Sequence, residues 1–587
     1  MMSLRGTKAI RDSIQWVLCC TVVVMSLSAG LLVGAQGNDD VVRHVRRSDA
    51  SVRDVDRCAV LEEEEEGRSA TAAETQAGFD DLELSSEYPP GDVLRYQLIP
   101  NDATARARNT AILRKLVSAT GASPYTGRVR FTNTTGADVY YFDDIIQVKD
   151  GIVLDLDGST LDFAKRYVVA DDYMGFLTFV RDVTIENGAI NVNYDGIAGK
   201  NAGSGLRIGS RRGYPFGGFT RGIEDEDLTV AQGGITVRNL RVTTNNASAA
   251  PILMLGGLDG VSMENVLVDG QGVAIKGIYY EFGFWHHNHI PARTQSSHAR
   301  NLSFKNIYIS DLNTGSAVAF SLVGALSAWV SGLWIDGSFN GVVIRSGEAL
   351  YYNVGTPGVG ARARIVLENI NGKNIASNGI YLQGAERASG GYLSAIIAAL
   401  PANRAAAAQT DLIEFFLDGF SIDASGVGLR VSGPSVIRNG SLHGTASSGQ
   451  VIIDDECVQF DFDDVRVVGS SGIGIRANFG GAVWNPARLK IGSIRNCLVA
   501  GNGGPSISID KFQSVLIENC RLGDKTVNDP FAEATQMNDV SASAATARVV
   551  CGGKHASISG GKTAYATIAG GEPMTMICIA NDPPTTP

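Results

Sequence analysis

One six-residue pattern recurs along most of the chain and constrains the fold more than any other feature. An apolar residue, a polar residue, Asn, a variable residue, a polar residue and an apolar residue follow one another, as in VRNLRV and MENVLV. Gly or Asp replaces Asn in close variants. A short pattern that repeats at a regular period indicates a repeat protein. The Asn or its substitute stands at positions 187, 239, 265, 306, 332, 369, 419, 439, 464, 496 and 519.

The spacing of these positions defines the repeat. Asn239 and Asn265 are 26 residues apart, and Asn496 and Asn519 are 23 apart. Steps of 41, 37 and 32 residues are interpreted as one unit plus an insertion, and steps of 52 and 50 as two units. A unit of roughly 22–26 residues suits one turn of a parallel β-helix, in which stacked turns lie about 4.8 Å apart. The Asn is expected to bond backbone groups and its counterparts above and below.

Other repeat architectures fit less well. Leucine-rich repeats have a similar period but need regularly spaced leucines, which this chain lacks, and a propeller blade needs roughly 40 residues. Glycine supplies 69 of 587 residues, well above the ordinary level of roughly 7%. Frequent glycine between short apolar runs is typical of strands joined by tight turns.

The N-terminal residues indicate export. Arg5, Lys8 and Arg11 precede an apolar run that ends in VGA at 33–35, so residues 1–35 are predicted to be a signal peptide. The run is also long enough to remain as a membrane anchor. Either outcome predicts a secreted, periplasmic or cell-surface protein.

Composition divides the rest of the chain into three parts. Residues 36–92 carry mixed charge with five consecutive glutamates at 62–66, which predicts a disordered acidic linker. Residues 93–525 hold the repeats and are predicted to form the β-helix domain with its N-terminal cap. Residues 526–587 are predicted to be a C-terminal cap or tail.

The beginning of the β-helix domain has a recognisable order. NDATARARNTAILRKLVSATG (101–121) predicts a short helix capped at Asn101 or Asp102, and GRVRF (127–131), VYYF (139–142) and GIVLDLDGSTLDF (151–163) alternate like strands. This order, followed by turns of twenty-odd residues, resembles the pectate-lyase-like superfamily, most of all the branch shared by glycoside-hydrolase-28-related proteins and phage tailspikes. The resemblance covers roughly residues 95–525.

The resemblance implies an all-β fold, a right-handed single-stranded parallel β-helix with a short capping helix. It implies no catalytic residue, because the motifs that would carry one are missing. FTNTTG (131–136) stands where the family often has a Phe-Pro-x-Gly turn, and no NTD, GHG or RIK run of the polygalacturonase kind occurs.

Insertions recur after a second repeated strand, exemplified by GVAIKGIYY (272–280) and NGIYLQGAE (378–386). Insertions at one place in successive solenoid turns stack on one side. They are therefore predicted to form the wall of a groove that holds an extended polysaccharide. The extra residues are about 280–299, 347–362, 384–410 and 479–487.

The residues predicted at this groove suit sugars. Aromatic rings offer flat apolar faces, and arginine offers a two-pronged contact to a carboxylate or sulfate. The predicted substrate-binding residues are Tyr279, Tyr280, Trp285, His289, Tyr351, Tyr352, Gln383, Glu386 and Arg387.

Hydrolysis of a glycosidic bond is the leading prediction for the reaction. It needs two carboxyl groups, assigned to Glu281 and Glu348, with Asp311 or Asp336 as substitutes. Two rungs separate Glu281 from Glu348 by about 10 Å along the axis, within reach once the side chains lean together.

Two alternatives to hydrolysis stay open. β-Elimination or C5-epimerisation of a uronic acid needs a base, a proton donor and a group that neutralises the carboxylate. His286 or His287, Tyr279 or Tyr280, and Arg345 are assigned to these roles. The other alternative is a non-catalytic adhesin or tailspike-like binding protein.

Several partners are not expected. The net charge is −11 and no basic stripe with interleaved aromatics occurs, so nucleic acid is excluded as a partner. His287 and His289 have the spacing of metal ligands but no evident third ligand, so neither a metal nor another cofactor is predicted. The oligomeric state is not fixed by the sequence.

The cysteines do not form a disulfide framework. Cys497 and Cys520 each follow the repeated Asn by one place in adjacent turns, which predicts a stacked pair. A disulfide between them is sterically possible. Cys551 and Cys578 are a second candidate pair.

Overall fold

The structure is a computed structural model that describes part of the chain as two units, one ending at Leu98 and one beginning at Ile99. The predicted signal segment, residues 1–35, lies outside the described residues. No helix in the described part of the chain is long and apolar enough to cross a membrane. The described residues are 69–117, 127–164, 175–193, 204–209, 232–245, 250–255, 258–281, 299–345, 364–383, 414–446, 449–454, 457, 459–479, 491–503, 506–509, 512, 514–522, 540–542, 548–552 and 575–579.

The first unit is a small ordered body around helix α1 (Ala72–Gln76). Thr71 caps this helix in a reciprocal arrangement with Glu74, whose carboxylate is fully buried. Arg95 Nε and the Tyr96 hydroxyl donate to Glu74 Oε1, each at 2.7 Å. Burial alone would raise the pKa of Glu74, but the bonds from Arg95, Thr71 and Tyr96 lower it overall. Residues 69–92 therefore differ from the disordered linker predicted there.

The second unit begins with the predicted cap. A single 3₁₀ turn (Ala103–Ala105) leads into helix α2 (Arg106–Val117). Asp102 is the N-cap, as predicted, and accepts from the Thr104 amide at 2.8 Å. The helix buries Leu113, Leu116 and Val117 against the first strands, because these residues recur on one helix face.

In the described residues, thirty-two strands follow in two sheets. Sheet 1 consists of β1 (Gly127–Arg130), β2 (Val139–Phe142), β4 (Ile152–Asp155), β5 (Thr160–Phe163), β7 (Thr184–Val192), β9 (Gln232–Thr244), β11 (Leu258–Asp269), β13 (Arg300–Ser310), β15 (Ser327–Ser338), β17 (Arg364–Ile375), β19 (Glu414–Ala424), β21 (Ser435–Gly444), β23 (Gln459–Val468), β25 (Ile491–Arg495), β26 (Leu498–Ala500), β28 (Ser514–Glu518), β29 (Arg521–Leu522), β31 (Arg548–Gly552) and β32 (Thr575–Ile579). Sheet 2 consists of β3 (Ile146–Gln147), β6 (Gly175–Phe179), β8 (Ser204–Gly209), β10 (Ile252–Leu255), β12 (Lys276–Glu281), β14 (Val318–Val323), β16 (Asn340–Arg345), β18 (Ile380–Gln383), β20 (Leu429–Ser432), β22 (Val451–Asp454), β24 (Ile475–Phe479), β27 (Ile507–Ile509) and β30 (Val540–Ala542).

The chain alternates between the two sheets, and each strand pairs in parallel with the equivalent strand of the next rung. For example, β11 pairs with β9 and β13, while β12 pairs with β10 and β14. The predicted right-handed single-stranded parallel β-helix is confirmed. The isolated bridge between Pro100 and Tyr140 at the N-terminal cap is antiparallel.

The repeated Asn forms a corner within sheet 1. Every one of the eleven predicted positions has a positive φ, from 50° at Asn239 to 71° at Gly332. Asn, Asp and Gly tolerate this left-handed conformation better than other residues, which explains why only these three types occupy the corner. The corner divides each long strand of sheet 1 into a first limb before it and a second limb after it.

The corner side chains also bond along the helix axis, as predicted. Asn239 Nδ2 donates to Asn187 Oδ1 at 3.0 Å, Asn265 donates to Asn239 at 3.0 Å, and Asn306 donates to Asn265 at 3.1 Å. Asn187 begins this ladder by donating to Asp155 at 3.0 Å. Each amide therefore helps to hold the register of two rungs.

The two longest steps of the repeat were misinterpreted as double turns. Glu186 pairs with Arg238, so Asn187 and Asn239 lie on adjacent rungs although they are 52 residues apart. Glu368 pairs with Asp418 in the same way, which makes the step of 50 residues a single rung. Each of these steps is thus one turn with a long insertion.

The core runs along the axis as stacked apolar columns. Alternate side chains point inward in each limb and in sheet 2, because successive side chains of a strand lie on opposite faces. The first limb contributes a fully buried column that includes Val237, Met263, Phe304, Val330, Leu367 and Leu417. Sheet 2 contributes one that includes Leu206, Ile252, Ile278, Phe320, Val342 and Ile380.

Candidate functional site

The predicted insertions follow the ends of the sheet 2 strands in the sequence. The last residues of the sheet 2 strands stack in register, with Glu281 beside Val323, Val323 beside Arg345, and Gln383 on the rung after Arg345. The residues predicted to be insertions follow these strand ends in the sequence, and all of them except Tyr280, Glu281, Ala299 and Phe479 lie outside the described residues. The outward face of sheet 2 therefore adjoins the place where they begin.

Arg345 and Gln383 meet on this face. Arg345 Nε donates to Gln383 Oε1 at 3.3 Å, and the Tyr381 hydroxyl donates to the same oxygen at 3.4 Å. Arg345 is exposed, whereas Gln383 is buried. The amide of Gln383 thus orients both a guanidinium and a phenol.

A partly buried ion pair continues the cluster on the next rungs. Arg430 follows Tyr381 in the same outward column, and its guanidinium lies 5.0 Å from the centre of the Tyr381 ring. Two of its nitrogens contact both oxygens of Asp454, at 2.8 and 3.1 Å. Because Asp454 is fully buried and the contact is two-pronged, Arg430 is held in one orientation.

Tyr279 occupies the same column three rungs before Tyr381, about 14 Å away at the usual spacing between strands. It packs against Leu253 and Leu255 and is half-buried. Lys276 Nζ lies 4.0 Å from the centre of its ring. Each of the two tyrosines therefore has a cation against its ring.

Tyr280 differs from its prediction as a substrate-binding residue. Its ring is fully buried in the core, and its hydroxyl accepts from the Ala299 amide at 3.2 Å. Tyr280 shares the inward side of β12 with Ile278, whereas Tyr279 lies on the outward side. The alternation of the strand thus separates two neighbouring residues to which the same role had been assigned.

Glu281 ends β12 and lies two rungs from Arg345 in register. The other predicted site residues beyond the strand ends lie outside the described residues: Glu348, His286, His287, Trp285, His289, Tyr351, Tyr352, Glu386 and Arg387.

Asp311 and Asp336 are placed elsewhere, on or beside the second limb of sheet 1. They lie on adjacent rungs, where the Asp311 amide donates to the Asp336 carbonyl at 3.1 Å. Lys373 Nζ contacts Asp336 Oδ2 at 3.0 Å, and Asn374 donates to its other oxygen at 2.7 Å. The structure does not bring these two acids together with Arg345 and Gln383 on the outward face of sheet 2.

Two aromatic residues accompany these acids. Tyr308 and Trp334 are register partners on adjacent rungs, both half-buried. Burial, and next the charge of Asp336, raises the pKa of the Tyr308 hydroxyl. This second-limb cluster is the alternative place for a ligand.

The structure adds four residues that sequence reasoning did not select: Lys276, Tyr381, Arg430 and Asp454. All four lie in strands of sheet 2, the repeated strand that precedes the insertions. Aligning the alternation of GIYY, GIYLQ and VGLRVS would have placed Tyr381 and Arg430 beside the column of Tyr279. Pairing across rungs, such as Arg430 with Asp454, requires the register and could not be found from one strand.

The strands of sheet 2 have an unusual charge balance for an acidic chain. They contain the five basic residues Arg207, Lys276, Arg345, Arg430 and Arg476 and only the two acidic residues Glu281 and Asp454. The first limb instead alternates charges in neighbouring pairs, such as Lys305 with Glu264 at 2.7 Å. Sheet 2 is therefore the face better suited to an anionic ligand.

Within the described residues, no group of three or more His, Cys, Asp or Glu side chains is arranged to hold a metal ion. The chain matches no protein-family model and no curated protein sequence.

Proposed function

We propose that this protein binds an extended acidic polysaccharide along the outward face of sheet 2 and cleaves it there. The observation that carries the proposal is the concentration of basic residues and tyrosines on that one face of a chain with net charge −11. Guanidinium groups contact carboxylates and sulfates in two-pronged fashion, and tyrosine offers both an apolar ring and a hydroxyl for sugar.

The geometry of the helix supports an extended ligand. Equivalent positions repeat at about 4.8 Å along sheet 2, so a linear polymer can contact one rung after another. The predicted insertions adjoin this face and would supply a groove wall. The resemblance to the pectate-lyase-like superfamily, in which polysaccharides are common substrates, supports the same class of ligand. Export, predicted from residues 1–35, would place the protein where such polymers occur.

Two cleavage reactions fit this face. For hydrolysis, Glu281 supplies one carboxyl group at the end of β12, with Glu348 as its predicted partner. For β-elimination, Arg345 neutralises the uronate while a neighbouring group removes the proton. The basic character of the face favours an acidic substrate in both cases, and hydrolysis remains the first assignment.

The test is a screen of the full chain against uronate-rich, sulfated and neutral polysaccharides. New reducing ends report any cleavage, and ultraviolet absorbance of unsaturated uronic ends reports elimination. We expect new reducing ends to form with acidic polymers only. If the reaction is hydrolysis, little absorbance from unsaturated uronic ends should accompany them. Glu281→Gln should then abolish cleavage, and Arg345→Gln should weaken it by raising KM.

Lys305→Gln is the matched control, because Lys305 is an exposed cation of sheet 1 whose pair with Glu264 contributes little to stability. It should cleave like the unaltered chain. Preference for neutral polymers would refute the electrostatic reasoning. Binding of acidic polymers without cleavage would instead support the non-catalytic alternative.

A further inference from the structure

Two buried cysteines face each other on adjacent rungs near the C-terminal end of the described β-helix. Arg495 pairs with Glu518 before them and Leu498 pairs with Arg521 after them, so Cys497 and Cys520 occupy equivalent positions. Both are 2% exposed. This register confirms the stacked pair that the spacing predicted.

The sulfur atoms are directed toward the same stretch of backbone. Cys497 Sγ lies 3.1 Å from the carbonyl oxygen of Arg495. Cys520 Sγ lies 3.2 Å from the carbonyl oxygen of Ile494, the residue before Arg495 on the other cysteine's rung. Cys520 therefore reaches across the gap between rungs toward Cys497.

A second pair of cysteines is also in register. Cys551 and Cys578 are register partners on the parallel strands β31 and β32. Adjacent parallel strands are about 4.8 Å apart, which lies within the Cα separations of 4.4–6.8 Å that disulfides usually span. Cys457 provides a contrast: it is buried with its sulfur 3.1 Å from the Gly433 carbonyl oxygen, and none of the described cysteines is its register partner.

We infer that Cys497–Cys520 and Cys551–Cys578 are rung-to-rung disulfide sites that close when the C-terminal rungs fold in the presence of a disulfide donor. One cysteine thiolate attacks the donor disulfide, forms a mixed disulfide and releases one donor thiolate. The second cysteine thiolate then displaces the other donor thiolate. Two cysteine thiols are oxidised, and one donor disulfide is reduced to two thiols.

Such cross-links fit the end of a solenoid. A terminal rung has a neighbour on one side only, so it unfolds more readily than an internal rung. A disulfide between the last rungs restricts the unfolded chain and favours the folded rung. Burial of Cys497 and Cys520 then protects the closed bond from reductants.

The first test refolds the full chain with oxidised glutathione, alkylates it in denaturant and maps the tryptic peptides by mass spectrometry. Cleavage after Lys511 separates the two cysteines of the first pair, so a disulfide appears as two joined peptides, lighter by two hydrogens than the sum of the reduced peptides. We expect joined peptides for both pairs and an alkylated Cys457. Alkylation of Cys497 and Cys520 to the same extent as Cys457 would overturn the inference for the first pair, and alkylation of Cys551 and Cys578 to that extent would overturn it for the second.

Hydrogen exchange supplies a second readout that needs no substitution. Oxidation should slow exchange in β25 to β29 by roughly 300-fold, the factor expected for a disulfide that closes a loop of this size. Cys497→Ser and Cys520→Ser should each remove the effect, whereas Cys457→Ser should retain it. Equal exchange in the oxidised and reduced chains would contradict a closed bond, whatever the polysaccharide assays show.

Discussion

The corner Asn residues contribute to stability in two ways, through the hydrogen bonds between their side chains and through their tolerance of a left-handed backbone. Substitutions at Asn265 separate these two contributions. Asn265 has φ 54°, donates to Asn239 Oδ1 at 3.0 Å and accepts from Asn306 Nδ2 at 3.1 Å. Asn265→Gly keeps the backbone conformation and removes both bonds. Asn265→Ala removes both bonds and also places a Cβ in the left-handed region.

The expected magnitudes follow from these contacts. Each side-chain hydrogen bond contributes about 1 kcal/mol, and less where water can replace it, so Asn265→Gly should lower the free energy of unfolding by about 1–2 kcal/mol. The left-handed conformation costs alanine about 1 kcal/mol more than glycine. Asn265→Ala should therefore lower it by about 2–3 kcal/mol.

Urea denaturation of the two variants and the unaltered chain measures these differences. Native-state hydrogen exchange in β9, β11 and β13 shows whether the loss is local, as expected for a solenoid. Gly332 and Gly419 occupy equivalent corners, with φ of 71° and 68°, which shows that the fold accepts glycine there. A glycine variant as stable as the unaltered chain would refute the ladder, and equal losses for glycine and alanine would refute the backbone contribution.

Three further predictions concern buried carboxylates. Hydrogen bonds from Thr135, Asn101 and Thr134 outweigh burial and lower the pKa of Asp138 from 3.8 to about 2. The ionised Asp138 therefore contributes up to about 2 kcal/mol to the free energy of unfolding. This contribution is present above pH 4 and is lost as the pH falls through 2. Acid titration of unfolding should show this loss in the unaltered chain and not in Asp138→Asn. Asp454→Ala leaves Arg430 without its two-pronged partner and should cost about 2–3 kcal/mol by thermal denaturation, less than a fully buried pair because Arg430 is partly exposed. Glu74→Gln removes the charge that binds Arg95 and should speed amide exchange across residues 69–98 at neutral pH, an effect that unchanged exchange would contradict.

Local rules explain what the sequence predicts well. The corner Asn could be identified because the left-handed conformation favours a few residue types wherever it occurs. The helix at 101–121 was likewise predicted with Asn101 or Asp102 as its cap, and Asp102 caps the 3₁₀ turn that leads into α2. These signals depend only on neighbouring residues.

Long-range pairing explains what was missed. The 52 residues from Asn187 to Asn239 could form one long turn or two short ones, and the sequence does not distinguish these two cases. The register of β7 with β9 shows that they form one turn. The ordered unit at 69–98 depends on Glu74 and Arg95, which are 21 residues apart and polar, so hydrophobic periodicity gives no sign of it. The prediction that Tyr280 binds substrate failed for a local reason. Tyr280 is two residues after the apolar Ile278, so the alternation of the strand already placed both side chains on the same, inward face.

The placement of the ligand on sheet 2 is tested most directly by oxidative footprinting with an acidic oligosaccharide. Mass spectrometry measures how far the oligosaccharide lowers oxidation of Tyr279 and Tyr381 compared with Tyr308 and Trp334. We predict protection of the two tyrosines of sheet 2 and none in the second-limb cluster. Protection confined to Tyr308 and Trp334, or none at saturating oligosaccharide, would contradict a binding face on sheet 2.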